Sequence, residues 1–324
     1  MNFLVTGITG FAGPHLAQQL MQDGHTVFGL VRHSNGRETD LLDIMTEDEL
    51  SKINWVYSDL VDALGIDKIF KDNTFDGVFH LAAQSHPPTS FKFPQATYET
   101  NVMGTINLIE SMRNHQSSDC IFHFCSTSEV YGDQGKDIGV LEETLNLKPC
   151  NPYGASKAAM DLYVQERIQN NKMNGFITRA FSHTGPRRGK NFSISSDAFQ
   201  IAKMMKGMTK DNILNIGNLQ TERVVMDVKD CVNAYRLLMY KRASGVYNVC
   251  GDTVHKMQHF TDILIKHSGL DDVVQQIYAP FYRPIDIAVQ IGDSSKLKKD
   301  TGWEASIDIE DTLKDLLQYW LRKI

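Results

Sequence analysis

Tyr153 and Lys157 stand four residues apart in the segment Asn151-Pro152-Tyr153-Gly154-Ala155-Ser156-Lys157, which leads into a helix and so projects both side chains from one face. A tyrosine at its ordinary pKa of about 10 is a poor base at neutral pH, and an ammonium group beside it favours the phenolate. Upstream, Ser126-Thr127-Ser128-Glu129 ends an apolar run. In extended backbone Thr127 and Glu129 point to the same side, so a hydroxyl and a carboxylate share one cleft. These residue types suit proton transfer by a tyrosine, with a second acid–base group at hand.

A second constellation lies near the start of the chain. Gly7-Ile8-Thr9-Gly10-Phe11-Ala12-Gly13 spaces its glycines as GxxGxxG between an expected strand and an expected helix. Missing side chains let the backbone turn tightly and bring amides and the helix N-terminus against a pyrophosphate, so Gly7, Thr9, Gly10, Phe11, Ala12 and Gly13 are expected to cradle a dinucleotide. At the end of the second strand an acidic side chain would accept from a ribose 2′-hydroxyl and repel a 2′-phosphate. The chain instead reads Leu30-Val31-Arg32-His33-Ser34-Asn35. Arg32 offers a charged fork and Ser34 a hydroxyl, which favours NADP over NAD. Asp59-Leu60 is the candidate contact to the adenine amino group.

Positioning these groups takes alternating strands and helices. Short apolar runs at Phe3–Val5, Val27–Val31, Trp55–Tyr57, Gly77–Leu81, Ile121–Cys125 and Phe176–Phe181 are the expected strands of a parallel sheet covered on both faces. Between the first two, Pro14 near the start and Leu16, Ala17, Leu20 and Met21 on one face predict a helix that stops at Asp23-Gly24. Beyond about residue 180 the rhythm breaks into shorter strands, turns and separate helices such as Ser196–Met205 and Ile307–Leu321. The fold expected is α/β, a Rossmann-type doubly wound parallel sheet with a smaller mixed α/β substrate-binding lobe. Residues 1–178 with about 213–243 would form the dinucleotide domain, and residues 179–212 with 244–324 the lobe.

Composition narrows the function classes. The 324 residues are 42% hydrophobic and 22% charged, near the globular average. A net charge of -6 with scattered basic residues argues against a nucleic-acid partner. With no basic leader and no run of about 18 apolar residues, no membrane partner is expected. Five cysteines, Cys120, Cys125, Cys150, Cys231 and Cys250, show neither paired nor zinc-ligand spacing, which suits a reduced cytoplasm. Among eleven histidines, even the near pair His255 and His259 lacks a carboxylate or cysteine at ligand spacing, so no metal is expected.

Together the GxxGxxG loop, Asp59-Leu60, Leu81-Ala82-Ala83, Asn101, Thr127 and Tyr153-x-x-x-Lys157 resemble the extended short-chain dehydrogenase/reductases that act on nucleotide sugars, over essentially the whole chain. Ala83-Gln84-Ser85-His86, Ser126 through Gly132, Pro186-Arg187-Arg188-Gly189-Lys190-Asn191-Phe192 and Gly217-Asn218-Leu219 are closest to the GDP-mannose 4,6-dehydratase branch. The resemblance implies NADP beside Leu81, Ala82, Ala83, Asn101, Tyr153, Lys157 and His183. It implies a nucleotide sugar beside Ser85, Ser128 and Ser182, with Arg187, Arg188, Arg223, Arg283 and Asn191 as candidates for its diphosphate. Thr127, Glu129, Tyr153 and Lys157 would carry a redox-neutral dehydration. A homodimer or homotetramer is also implied, with pairing helices near residues 101–113 and 154–170.

Some positions depart from that branch. Ser182 replaces an asparagine in the usual Phe-Asn-His string, and Val224 replaces an aspartate after Arg223. The stretch between Leu270 and Arg283 is short and, with Thr178 through Pro186 and Asp227-Val228-Lys229-Asp230, is similar to reductases that take GDP-4-keto-6-deoxymannose to GDP-rhamnose. Such a reductase, or an epimerase, is the alternative. A non-catalytic nucleotide-binding relative would lack Tyr153, Lys157 or Glu129, and all three are present.

Overall fold

A computed structural model describes residues 1–32, 36–170, 172–282 and 285–324. In chain order the strands are β1 (Asn2–Thr6), β2 (Thr26–Val31), β3 (Asn54–Tyr57), β4 (Gly77–His80), β5 (Ile121–Thr127), β6 (Val140–Leu141) and β7 (Asn174–Ala180). They continue as β8 (Ser182–Thr184), β9 (Ile213–Ile216), β10 (Glu222–Asp227), β11 (Gly245–Val249), β12 (Val254–Lys256), β13 (Val274–Ile277) and β14 (Val289–Gly292). Seven of them form one sheet in the order β11-β7-β5-β4-β1-β2-β3. Every pairing in it is parallel.

Alternation along β1 shows why both faces must be covered. Phe3 and Val5 pack with Leu16 and Leu20 of the helix Ala12–Gln22 and with Val232 and Tyr235 of the helix Val228–Tyr240. Leu4, between them, joins Ile66, Phe70, Leu108 and Val164 on the opposite face. The strand order reverses between β1 and β4, and ligands of doubly wound sheets bind at the carboxyl ends of the strands at such a point.

The smaller lobe holds the sheet β12-β10-β14-β6, with β8 also against β10, and the pair β13-β9. Its own core, including Ile194, Ile201, Phe260, Leu264 and Leu313, lies among the helices Ser193–Met205, Met257–Ser268 and Ile309–Lys323.

The structure departs from the domain boundaries read from the chain at four strands: β6 and β10, expected in the dinucleotide domain, lie in the lobe's sheet, and β11 and β9 are also exchanged. Residues 245–249, expected in the lobe, are β11, which pairs with β7 from Gly245↔Phe176 to Val249↔Ala180 and closes one side of the large sheet. Residues 213–216, expected in the dinucleotide domain, are β9, which pairs with β13 in the lobe. Both strands are placed by partners far away in sequence, which local apolar patterning does not register. No helix among the described residues is long and apolar enough to cross a membrane.

Candidate active site

The glycine loop is shaped by close approach. Gly7 has φ +71°, and a Cβ there would come within 2.8 Å of the Ala82 amide nitrogen. A Cβ at Gly13 would stand 2.4 Å from the Gly7 carbonyl oxygen. Only glycine lets the first turn of the helix Ala12–Gln22 sit this close to β1 and to the end of β4. A buried relay fixes that end of β4. The Ala82 N–H donates to Thr6 Oγ1 at 3.1 Å, and Thr6 Oγ1 lies 2.8 Å from His80 Nδ1. His80 Nε2 lies 2.9 Å from Thr105 Oγ1, whose hydroxyl donates to the Asn101 carbonyl. Because Thr105 spends its proton on that carbonyl, His80 must donate from Nε2 and accept at Nδ1. Burial holds its pKa well below the usual histidine range, which suits that neutral tautomer.

A cleft of about 930 Å³ opens over these strand ends and runs into the lobe. Of the expected cofactor residues it is lined by Gly7, Gly10, Phe11, Ala12, Gly13, Leu81, Ala82, Ala83, Tyr153, Lys157 and His183. Thr127, Ser128 and Glu129 line it, as do Ser85, Ser182, Asn191 and Arg223. The cradle of tight glycines beside a helix N-terminus fits a dinucleotide's pyrophosphate.

Other candidates lie elsewhere. Asn101 stands behind the wall: its Oδ1 accepts from Gln84 N–H at 2.8 Å, and its Nδ2 donates to Gln84 O and to Ser156 Oγ. It thereby ties the segment after β4 to the helix Pro152–Gln169. Arg187, expected to face a diphosphate, pairs with Asp43 at 3.1 Å and donates to the Thr9 carbonyl at 3.2 Å. Its left-handed backbone, φ 73°, turns it under the glycine loop, away from the cleft lining. Thr9, Asp59 and Leu60 are likewise absent from that lining. Asp59 Oδ1 accepts from Val61 N–H, and Leu60 packs where a Cβ on Gly104 would meet it at 2.7 Å. Arg32 is exposed at the end of β2, whereas Ser34 and Arg283 fall outside the described residues.

The candidate reacting groups come from the end of β5, from the 3₁₀ turn Ser128–Tyr131 that follows it, and from the helix Pro152–Gln169. Asn151 caps that helix, its Oδ1 accepting from Gly154 N–H at 2.7 Å, while its Nδ2 donates to Glu129 Oε2 at 2.7 Å. One side chain therefore starts the helix that bears Tyr153 and Lys157 and also aims the carboxylate. Thr127 Oγ1 accepts from the Glu129 N–H at 3.2 Å, closing the turn between hydroxyl and carboxylate.

Burial dominates the electrostatics. It raises the Tyr153 phenol well above its ordinary value, against the lowering influence of the Thr127 hydrogen bond and the Arg188 charge. Burial also lowers the Lys157 ammonium to about 8, while Cys125 and Asp161 raise it. Lys157 Nζ lies 4.2 Å from the centre of the Phe124 ring. Arg188 is half-buried in the cleft wall between Phe11 and Phe192, 4.8 and 3.6 Å from their centres, and desolvation there lowers it to about 10. Its placement against the tyrosine was not readable from its Arg-Arg-Gly context.

Behind the site, Arg179 binds Asp161 through two nitrogens at 3.0 and 2.9 Å, and Ser126 Oγ donates to Asp161 at 2.7 Å. Arg179 also donates to Tyr131 Oη at 3.0 Å. These buried charges lock β5, β7 and the helix Pro152–Gln169 together. The sequence offered no signal for them beyond polar residues at apolar positions. Among the described residues, no cluster of three or more His, Cys, Asp or Glu side chains is arranged to hold a metal.

The family model described as GDP-mannose 4,6 dehydratase matches residues 4–316. The GDP-6-deoxy-D-mannose reductase of Pseudomonas aeruginosa is 31% identical, over 100% of this chain and 98% of its own. GDP-mannose 4,6 dehydratase 1 of Arabidopsis thaliana is 30% identical, over 96% of this chain and 87% of its own. Among solved structures, RMD from Pseudomonas aeruginosa complexed with NADPH superposes with a TM-score of 0.80 at 26% identity, covering 100% of this chain and 99% of that one. UDP-glucose 4-epimerase from Thermus thermophilus, in complex with NAD, gives 0.84 at 25% identity, with both chains covered in full.

Proposed function

Because the chain belongs to the GDP-mannose 4,6-dehydratase family, matched over residues 4–316, we propose that it is an NADP-dependent nucleotide-sugar 4,6-dehydratase that acts on GDP-mannose or a close relative. The observation that carries this reading is Glu129. Its carboxylate is aimed by Asn151 and lines one cleft with Thr127 and Tyr153. Arg32, rather than a carboxylate, follows β2, which supports a 2′-phosphorylated cofactor.

A nicotinamide held in this cleft would supply reversible hydride transfer, so no external reductant would be consumed. Tyr153 Oη accepts the proton of the sugar 4-hydroxyl, with the Thr127 hydroxyl on the same oxygen. A ketone at C4 acidifies the C5 proton, which the Glu129 carboxylate removes. The carboxylic acid so formed then delivers that proton to the C6 oxygen, which leaves as water; as a hydride returns to C6, the proton held on Tyr153 goes to C5, and both side chains regain their starting state. One group serves as base and then acid because the proton taken from C5 is the one passed to the neighbouring C6 oxygen. The buried Lys157 and the half-buried Arg188 supply positive charge on the tyrosine side.

One observation favours a second reading, an NADPH-dependent reductase of the 4-keto-6-deoxy sugar. The Pseudomonas aeruginosa reductase is matched over 98% of its length, the Arabidopsis dehydratase over 87%. A homo-oligomer is part of the proposal, since Phe93, Tyr98, Met103 and Leu162 are exposed apolar residues at or near the two helices expected to pair. So is a cytoplasmic site of action, which suits five free cysteines.

The test is mass spectrometry of GDP-mannose incubated with the purified protein and catalytic NADP⁺. Loss of one water without net NADPH is the expected result, and Glu129→Gln is expected to abolish it while NADP still binds. No water loss, with stoichiometric oxidation of NADPH on the 4-keto-6-deoxy sugar, would replace the dehydratase with the reductase.

A further inference from the structure

The cleft extends past the reacting groups into the lobe, where its wall contains a carboxyl that none of the steps above uses. Asp197, one turn into the helix Ser193–Met205, is 3% exposed and lines the cleft. Its surroundings identify the end at which it sits. Gln200, nearly one turn further on, bonds both main-chain groups of Asn215 at 3.0 Å, which brings the following Gly217 and Asn218, also in the lining, towards Asp197. The Thr261 hydroxyl donates to Asp197 Oδ2 at 2.8 Å from the helix Met257–Ser268, whose first residue lines the cleft as well. Phe281, 44% exposed, covers Gly217 so closely that a Cβ on that glycine would lie 3.4 Å from the phenylalanine's own.

An ionised carboxylate offers about four acceptor sites, and Thr261 fills one. Among the described residues Asp197 makes no ion pair. Burial lifts its carboxyl to about 7, against the lowering influence of the Thr261 hydrogen bond. A hydrogen bond between two helices would be served as well by asparagine or serine, without the cost of burying an acid. A buried, uncompensated acid in a cleft wall is where a ligand donor is to be sought.

We infer that Asp197 reads the base of the nucleotide, its remaining acceptor sites taking the parallel N1–H and N2–H groups of guanine while the Phe281 ring lies against the base. The assignment rests on the GDP-linked substrate proposed above and names the residue that selects guanine. Adenine turns an acceptor nitrogen to the same edge, hypoxanthine lacks the N2 amine, and xanthine replaces it with a carbonyl.

The experiment is calorimetric titration of the wild-type protein and Asp197→Asn with GDP, IDP, XDP and UDP, with NADPH binding as the check that the variant is folded. The wild type is expected to hold GDP at least about tenfold more tightly than IDP, because a carboxylate built for two donors is left partly unpaired. In Asp197→Asn the amide donor faces the carbonyl of xanthine, and the GDP:XDP preference should swing by about a hundredfold. Equal wild-type affinity for GDP and IDP, or an unchanged GDP:XDP ratio in a variant that binds NADPH, overturns the assignment. A wild type that prefers UDP to GDP defeats the choice of a GDP-linked sugar and takes the assignment with it, so the two failures are told apart.

Discussion

At Tyr153 burial pushes the phenol up, while the Thr127 hydroxyl and the Arg188 guanidinium pull it down. The YxxxK spacing points to Lys157 as the cation that makes the phenolate accessible, yet Lys157 sits buried over the Phe124 ring and is itself lowered to about 8. Arg188, clamped between Phe11 and Phe192, is a positive charge that lowers the phenol. Replacing it with methionine keeps an apolar filler between the rings and removes the charge. In the proposed reaction Tyr153 is deprotonated when it accepts the sugar proton, so a higher phenol pKa moves the acid limb of kcat/KM to higher pH, by about one unit per tenfold loss at pH 7. An acid limb that stays in place in Arg188→Met would return the role to Lys157. The sequence shows which residue types converge on the reaction. Which cation faces which oxygen depends on a backbone turn at Arg187 and two aromatic walls, and neither leaves a periodic trace.

Among the elements, the helix Pro152–Gln169 shows most directly how folding and chemistry share a residue. Asn151 accepts from Gly154 N–H at its start and donates to Glu129 Oε2 from the other end of the same amide. Asn151→Asp preserves the cap acceptor, so thermal unfolding should shift by less than about 1 kcal/mol. It also sets a second carboxylate against Glu129, which raises the pKa of the pair, and dehydration should fall at pH 7 and recover as pH rises. Asn151→Ala, by contrast, should cost about 1 kcal/mol of stability through the lost cap. Equal pH profiles for wild type and Asn151→Asp would mean that the amide does not tune the carboxylate. Six strands of the large sheet were legible because apolar runs bounded by turn residues report a buried strand locally. The seventh, β11, mixes Tyr247 and Asn248 into a short run and owes its place to pairing with β7, about seventy residues earlier in the chain. Arg187 and Asn101 were legible as polar residues in telling contexts. Their use as braces was not, since their partners Asp43 and Gln84 lie far off or in another turn.

Across the whole molecule, Asp43 joins parts that the chain keeps apart. It ends the short 3₁₀ turn Arg37–Asp43 after β2, and its Oδ2 receives Arg187 and the Tyr319 hydroxyl, each at 3.1 Å. Its Oδ1 receives Lys323 at 2.6 Å. Arg187 in turn holds the Thr9 carbonyl of the glycine loop, while Tyr319 and Lys323 belong to the last helix of the lobe. One carboxylate thus fastens the lobe's final helix to the loop that cradles the dinucleotide. Its side chain is 16% exposed and that of Arg187 9%, so this link is screened less than a surface pair, whereas Lys323, at 46%, adds little. Asp43→Asn leaves a nearly buried guanidinium without its counter-charge, which should cost about 2 kcal/mol and lower Tm by a few degrees. NADP affinity should fall with it, because Arg187 no longer has a fixed position under Thr9. Arg187→Ala alone should produce a loss of similar kind, and the double variant should lose less than the sum of the two, since the second change removes a partner already unpaired. Additive losses of stability and of NADP binding would instead make the two residues independent and dissolve the junction between lobe and glycine loop.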